Sequence, residues 1–222
     1  MEYRLIRSSK RKKTISLIIS RDGEMIVRSP LKTPVGDIEN FLKSKSQWIE
    51  KKLQIKQPVI KDKREFTEGE FFLYLGDKYP IVFVYGNKRN DIELKEKRFL
   101  IPREMQGYAR ELFIAWYKKT ARRLIFNRSI FYQKQLALIP SDIKITSAMS
   151  RYGSCSAKNS LSFSWRLIMA PLDVIDYVII HEFCHIKEKN HSPRFWRLVE
   201  SIIPDYKVRR RWLKDNGHLL RL

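Results

Sequence analysis

The segment PLDVIDYVIIHEFCHIKEKNHSPRFW, residues 171–196, constrains this chain more than any other, because it leaves little choice of local structure. Val178, Ile179, Phe183 and Ile186 surround His181 and His185. Their spacing predicts a buried helix over 172–188. The sequence also supplies a stop. Asn190 tolerates a left-handed backbone at a helix C-terminus. Ser192 is a good N-cap, and Pro193 suits the first position of a new helix. The chain is therefore expected to turn at 189–190 and re-enter a helix at 193, leaving His191 at the corner.

Side chains at i and i+4 project from one helix face, one turn apart. His181 and His185 can then meet one tetrahedral Zn²⁺, with Glu182 leaning toward the open coordination position. In an H-E-x-x-H arrangement the carboxylate takes a proton from water at the metal. Catalytic zinc keeps three protein ligands and one exchangeable position. His191 is the leading third ligand, since a corner residue can fold back onto a metal held by the preceding helix. Glu200 and Asp205 are its rivals, as downstream carboxylates. The spacing also fits the metzincin pattern, but the turn glycine of that pattern is Glu188 here and no methionine follows the site. The competing interpretation of the three histidines is a satisfied structural cluster. His218 is expected at the surface.

Composition narrows the setting. The 222 residues are 43% hydrophobic, enough for one domain or two small ones. Aromatics at 12% and only 8 glycines argue against disorder. With 45 Lys+Arg against 24 Asp+Glu, the formal net charge is +21. Such a surface attracts polyanions, whether nucleic acid, nucleotide phosphates or an anionic membrane, unless it is simply a solvated basic face. The longest apolar runs, such as YPIVFVY at 79–85, fall well short of the ~20 residues a membrane span needs. The charged N-terminus lacks an apolar signal core. Cys155 and Cys184 are too few for a disulfide framework, so a reduced, cytoplasmic protein is expected.

Along the chain, TISLIIS (14–20) and EMIVRS (24–29) flank RDG and predict a β-hairpin. Residues 36–55 predict one helix capped by Asp37, with Ile38, Phe41, Leu42, Trp48, Ile49 and Leu53 on its apolar face. A lysine-rich loop is expected at 56–69, then strands at 71–75, 79–85 and 91–101. Pro102 opens a long amphipathic helix over 103–136, interrupted near Asn127. Its polar face holds Arg110, Lys118, Lys119, Arg122, Arg123 and Arg128, which either meet a polyanion or are solvated. Strands at 142–149 and 160–170 follow, joined by SRYGSCSAKN. The expected fold class is α+β: a β-rich basic region over 1–101, then a helical catalytic part over 102–222.

In the SRYGSCS loop, Gly153 permits a tight approach to the metal. Arg151 or Tyr152 could then donate to an oxyanion. The alternative is a plain hairpin turn in which Tyr152 and Cys155 pack in the core. Cys155 lacks a nearby activating histidine, and Cys184 reads as a small buried hydrophobe.

The motifs SRYGSCS, WRLIMAP, IDYVIIHEFCHIKEKNHSPRFW and PDYKVRRRWL, in that order, resemble the YgjP-like metallopeptidases, distant kin of the SprT-like and WLM zinc proteases. Tyr152 departs from the tryptophan usual there but keeps a ring. The resemblance implies a zincin-like core, a small sheet packed on the helix bearing His181, Glu182 and His185, with His191 as third ligand. It favours zinc-dependent hydrolysis of a peptide or protein substrate, one associated with nucleic acid if the analogy to its kin holds. Members also carry a nucleotide (UTP) pyrophosphatase label, so the same zinc site acting on a nucleotide phosphate is the second reading. In that case Arg151, Arg166 or basic C-terminal residues would grip the phosphates. A nucleic-acid-binding module with structural zinc is the third, against which only three ligands are visible.

Overall fold

A computed structural model describes residues 2–19, 24–54, 64–85 and 91–222 of the chain. Its contacts divide into two units, Met1–Lys63 and Arg64–Leu222, each with a hydrophobic core of its own. The packing therefore divides at 63/64 and not at the 101/102 boundary read from the sequence. The strands of residues 71–102 share their core with the long helix that follows them.

In the first unit, β2 (Ser16–Ile19) and β3 (Met25–Pro30) pair antiparallel, with Ile19 opposite Met25. This is the expected hairpin; its RDG turn lies outside the described residues. β1 (Arg4–Ser8) adds in parallel on the other side of β3. Met25 and Val27 face Ile38, Leu42 and Ile49 of two helices, α1 (Val35–Ser44) and α2 (Ser46–Gln54). The single helix expected at 36–55 is thus interrupted at Lys45, whose N–H turns back to Leu42 O at 3.0 Å. Pro34 occupies the N-cap position of α1, and Asp37 sits inside its first turn, where it favours the helix dipole. Trp48, expected on the apolar face, is 43% exposed. Of the loop expected at 56–69, residues 64–69 carry no helix or strand and 56–63 lie outside the described residues.

The second unit opens with a sheet ordered β4-β5-β7-β6, from β4 (Phe71–Tyr74), β5 (Asp77–Val84), β6 (Glu93–Lys95) and β7 (Arg98–Pro102). The strand expected at 91–101 is an antiparallel pair, turned at Glu96 and Lys97 with φ of 49° and 59°. Two successive left-handed residues suit the twist of a tight hairpin, but they are normally announced by Asn-Gly rather than Glu-Lys.

The helix α3 (Ala109–Leu136) runs unbroken through Asn127 and stops at Ala137, with φ 51°. Ala109, Phe113, Tyr117, Ala121, Ile125 and Ser129 are buried at every fourth position. Each four-residue step rotates the helix by about 40°, so the buried stripe winds through about 200°. The first half consequently packs on the sheet: Phe72 stacks on Phe113 at 4.2 Å, and the Tyr117 hydroxyl donates to Leu73 O at 2.6 Å. The second half turns toward the next helix, α4 (Leu172–Lys187), where Arg128 donates to both oxygens of Asp176 at 2.7 and 2.5 Å. Arg128 thus leaves the polar stripe to which the sequence assigned it.

A second small sheet, β8 (Asp142–Thr146), β9 (Gly153–Cys155) and β10 (Ser160–Ser164), is ordered β8-β10-β9. β8 and β10 are parallel, and the connection supplies β9 as an antiparallel edge strand rather than a plain turn. The strand expected to reach residue 170 ends at Ser164. There the serine hydroxyl accepts from Arg166 N–H and starts a 3-10 turn over Trp165–Met169. That turn receives N–H bonds from Leu75 and Gly76 at 3.0 and 3.1 Å, and Gly76 (φ 90°) leaves no room for a Cβ against Pro171. The first sheet therefore pins the start of α4. Helices α5 (Pro193–Ile202) and α6 (Tyr206–Asn216) complete the unit. Helices and small sheets form largely separate segments, as an α+β chain requires.

Candidate metal centre

Residues 174–180 of α4 are buried on all sides, so the helix is held rigidly by the core. It presents His181 and His185 one turn apart. The chain leaves α4 through an extended Glu188, not through a left-handed Asn190, and Ser192 N–H closes the corner on Asn190 O at 2.8 Å. Ser192 then caps α5 through Phe195 N–H, with Pro193 in the first turn, as expected. The corner returns His191 to the cluster. His191 Nε2 lies 3.0 Å from His181 Nε2 and 3.2 Å from His185 Nε2. One ligand nitrogen from each ring fits within a 4.8 Å spread. Zinc–nitrogen distances of ~2.0–2.1 Å in a tetrahedron separate ligand nitrogens by roughly 3.3 Å, close to the 3.0 and 3.2 Å that His191 keeps from the other two rings.

The surroundings keep these rings in ligand form. His185 Nδ1 lies 2.9 Å from Glu188 O. A carbonyl only accepts, so Nδ1 carries the proton and Nε2 keeps its lone pair for a metal. Phe195 stacks on His185 at 4.4 Å and meets His181 and His191 edge-on, while Trp196 stacks on His191 at 5.5 Å. Burial, then His185, His191 and Arg210, push the His181 pKa down to about 3. His191 is also lowered, mainly by burial. Neutral imidazoles are what a metal binds.

Glu182 is 6% exposed and rests against β9. A Cβ added at Gly153 would stand 2.5 Å from Glu182 Oε1. Glycine at 153 is thus a steric requirement of the carboxylate's position, on a strand rather than in a loop. Burial raises the Glu182 carboxyl to about 7, opposed by the positive charge of Arg151. A carboxyl poised there can take up and release a proton near neutrality. β9 is the edge of its sheet, so its outer side is unpaired among the described strands beside Glu182.

The other expected residues fall into place around this core. Tyr152 donates its hydroxyl proton to Gly217 O at 2.7 Å, tying the C-terminal turn to the start of β9. Arg151 is exposed. Glu200 pairs with Lys207 at 3.5 Å and Asp205 with Arg209 at 3.1 Å; neither joins the histidines. Arg166 donates to Ser147 O at 3.0 Å and lies over Trp165. His218 is exposed on the C-terminal turn. Burial raises both thiols, Cys184 to about 12, so neither cysteine is a ready nucleophile. Lys189, which the sequence did not single out, reaches from the corner to Ser156 O at 3.3 Å and to the Asn159 side chain, bracing the β9–β10 turn. Phe195 and Trp196 were likewise unmarked, and Arg210 entered only among the basic C-terminal residues, because their approach depends on three helices converging.

Among the described residues no helix is long and apolar enough to cross a membrane. A family model described as YgjP-like, metallopeptidase domain, matches residues 13–216, a span that holds the whole histidine cluster and Glu182. No curated protein and no solved structure matched the chain.

Proposed function

The chain belongs to the YgjP-like metallopeptidase family, and on that premise we propose that it is a zinc-dependent peptidase with a zincin-like core. The observation that carries this reading is the convergence of three Nε2 atoms beside a buried carboxyl that rests on an edge strand. His181, His185 and His191 would hold the ion. A zinc ion held there supplies Lewis acidity, polarising a scissile carbonyl and acidifying water.

The chain's own residues account for the rest. Glu182, with a pKa raised to about 7, accepts a proton from the attacking water and delivers it to the departing amine nitrogen. Gly153 keeps that carboxyl in place by leaving it room. The outer edge of β9 offers main-chain groups to an extended peptide, which would add to the sheet alongside Glu182. Arg151, exposed at the start of β9, is the remaining candidate to steady an oxyanion, since the Tyr152 proton is engaged with Gly217.

The nucleotide pyrophosphatase reading asks for arginines gathered at one point beside the metal. Of the arginines it could use, Arg166 is engaged with Ser147 and Trp165, whereas Arg151 and, on α6, Arg210 are exposed near the cluster, so the preference for a peptidase rests on the family match. A structural zinc would close its shell with four ligands, and the described residues bring three together. Two free cysteines, one of them buried, accord with a reducing, cytoplasmic setting. The reading is tested by assaying peptide hydrolysis alongside zinc content in the unsubstituted protein and in Glu182→Gln.

A further inference from the structure

Two arginines flank the histidine cluster without carboxylate partners. The Arg210 guanidinium, on α6, lies 4.7 Å from the centre of the Trp196 ring. Trp196 in turn stands 5.5 Å from His191 and 5.8 Å from His181. Arg151 stands two residues before the glycine on which Glu182 rests. Both are exposed, and neither forms an ion pair among the described residues. The adjacent basic residues of α6 behave differently: Lys207 is paired with Glu200 at 3.5 Å and Arg209 with Asp205 at 3.1 Å.

Bare cations are an odd thing to place beside a site that takes a metal dication, since they raise the potential there. An anion brought by the substrate would compensate. A guanidinium held over an aromatic ring with no carboxylate partner has N–H groups to offer a bidentate carboxylate.

We propose that Arg210 reads an acidic side chain of an extended peptide, making the site selective for acidic segments. This rests on the peptidase reading. On that reading the anions a substrate brings are carboxylates, which a single guanidinium can hold in bidentate fashion.

Binding is measured on the zinc-loaded Glu182→Gln protein, so that turnover does not interfere. The probes are an unstructured peptide with two glutamates, its glutamine isostere and its lysine counterpart. The glutamate peptide is expected to bind roughly tenfold more tightly than the isostere, as a charge-assisted bond would give. Arg210→Gln on that background should erase the advantage. Arg210→Glu should transfer it to the lysine peptide, with zinc content and unfolding midpoint unchanged. Equal affinity for all three peptides, no binding of any, or a glutamate preference that survives Arg210→Glu overturns the proposal. Tighter binding of inorganic triphosphate than of the glutamate peptide, lost in the same variants, overturns the choice of carboxylate. The peptidase reading is judged separately, by cleavage with the unsubstituted protein. Cleavage with no charge preference sinks the arginine site alone, whereas selective binding without cleavage sinks the peptidase reading and leaves the arginine site standing.

Discussion

Glu182 lies so close to Gly153 that one methyl group on the glycine would stand 2.5 Å from its Oε1. The strand position and the carboxylate position therefore define each other. Gly153→Ala is expected to displace either Glu182 or β9, at a cost of about 1–3 kcal/mol from overpacking. Peptide hydrolysis should fall by more than tenfold while zinc content holds, because the nearest atoms to that position all belong to Glu182. Hydrolysis at the parent rate would mean that Glu182 does not need its observed place.

Glu182→Gln keeps the shape of the side chain and removes its ability to carry a proton. Loss of a positioned general base costs about 10²–10⁴-fold. Stopped or initial-rate assays on an unstructured peptide should show a fall of that order, with zinc still bound at the parent stoichiometry. Turnover within a few-fold of the parent would remove Glu182 from the proton-transfer role.

His191 is held at the cluster by the turn after α4 and by stacking on Trp196. His191→Ala should sharply lower the zinc retained after dialysis, whereas Glu200→Gln and Asp205→Asn should leave it unchanged, since those carboxylates face Lys207 and Arg209. Zinc loading that is indifferent to His191 and sensitive to either carboxylate would reverse the assignment.

Arg128 and Asp176 join α3 to α4 five residues ahead of His181, outside the histidine cluster. Asp176→Ala leaves a partly covered guanidinium without its partner, and the unfolding free energy should drop by roughly 1–3 kcal/mol, the lower part of the range for breaking such a pair because Arg128 is partly exposed. Denaturant titration reads this directly. Zinc content should not move, which separates the scaffold from the site.

Much of the site could be read from residues 171–196, because local rules govern it: i,i+4 spacing on a buried helix, a serine cap and a proline at the next helix start. Even there the stop was misplaced by two residues, since Glu188 in an extended conformation did the work assigned to a left-handed Asn190. What escaped was everything decided by tertiary approach. The buried stripe of α3 winds because it serves two neighbours in turn, and the break expected near Asn127 does not occur. β9 is too short to show alternation, so a three-residue edge strand passed for a turn. Trp196 meets the histidines, and Arg210 meets Trp196, only because α5 and α6 fold back on α4, and no spacing in the chain announces it.

The central claim is that a single zinc ion on three histidines, with Glu182 as base, hydrolyses peptides. The most direct measurement strips the metal with a chelator, returns zinc in graded amounts, and follows hydrolysis of an unstructured peptide and of nucleoside triphosphates side by side. Peptide cleavage should vanish on stripping and return in full at one zinc per chain, with the triphosphates untouched. Full peptide cleavage by the stripped protein, or zinc-dependent turnover of triphosphates with none of peptide, would contradict it.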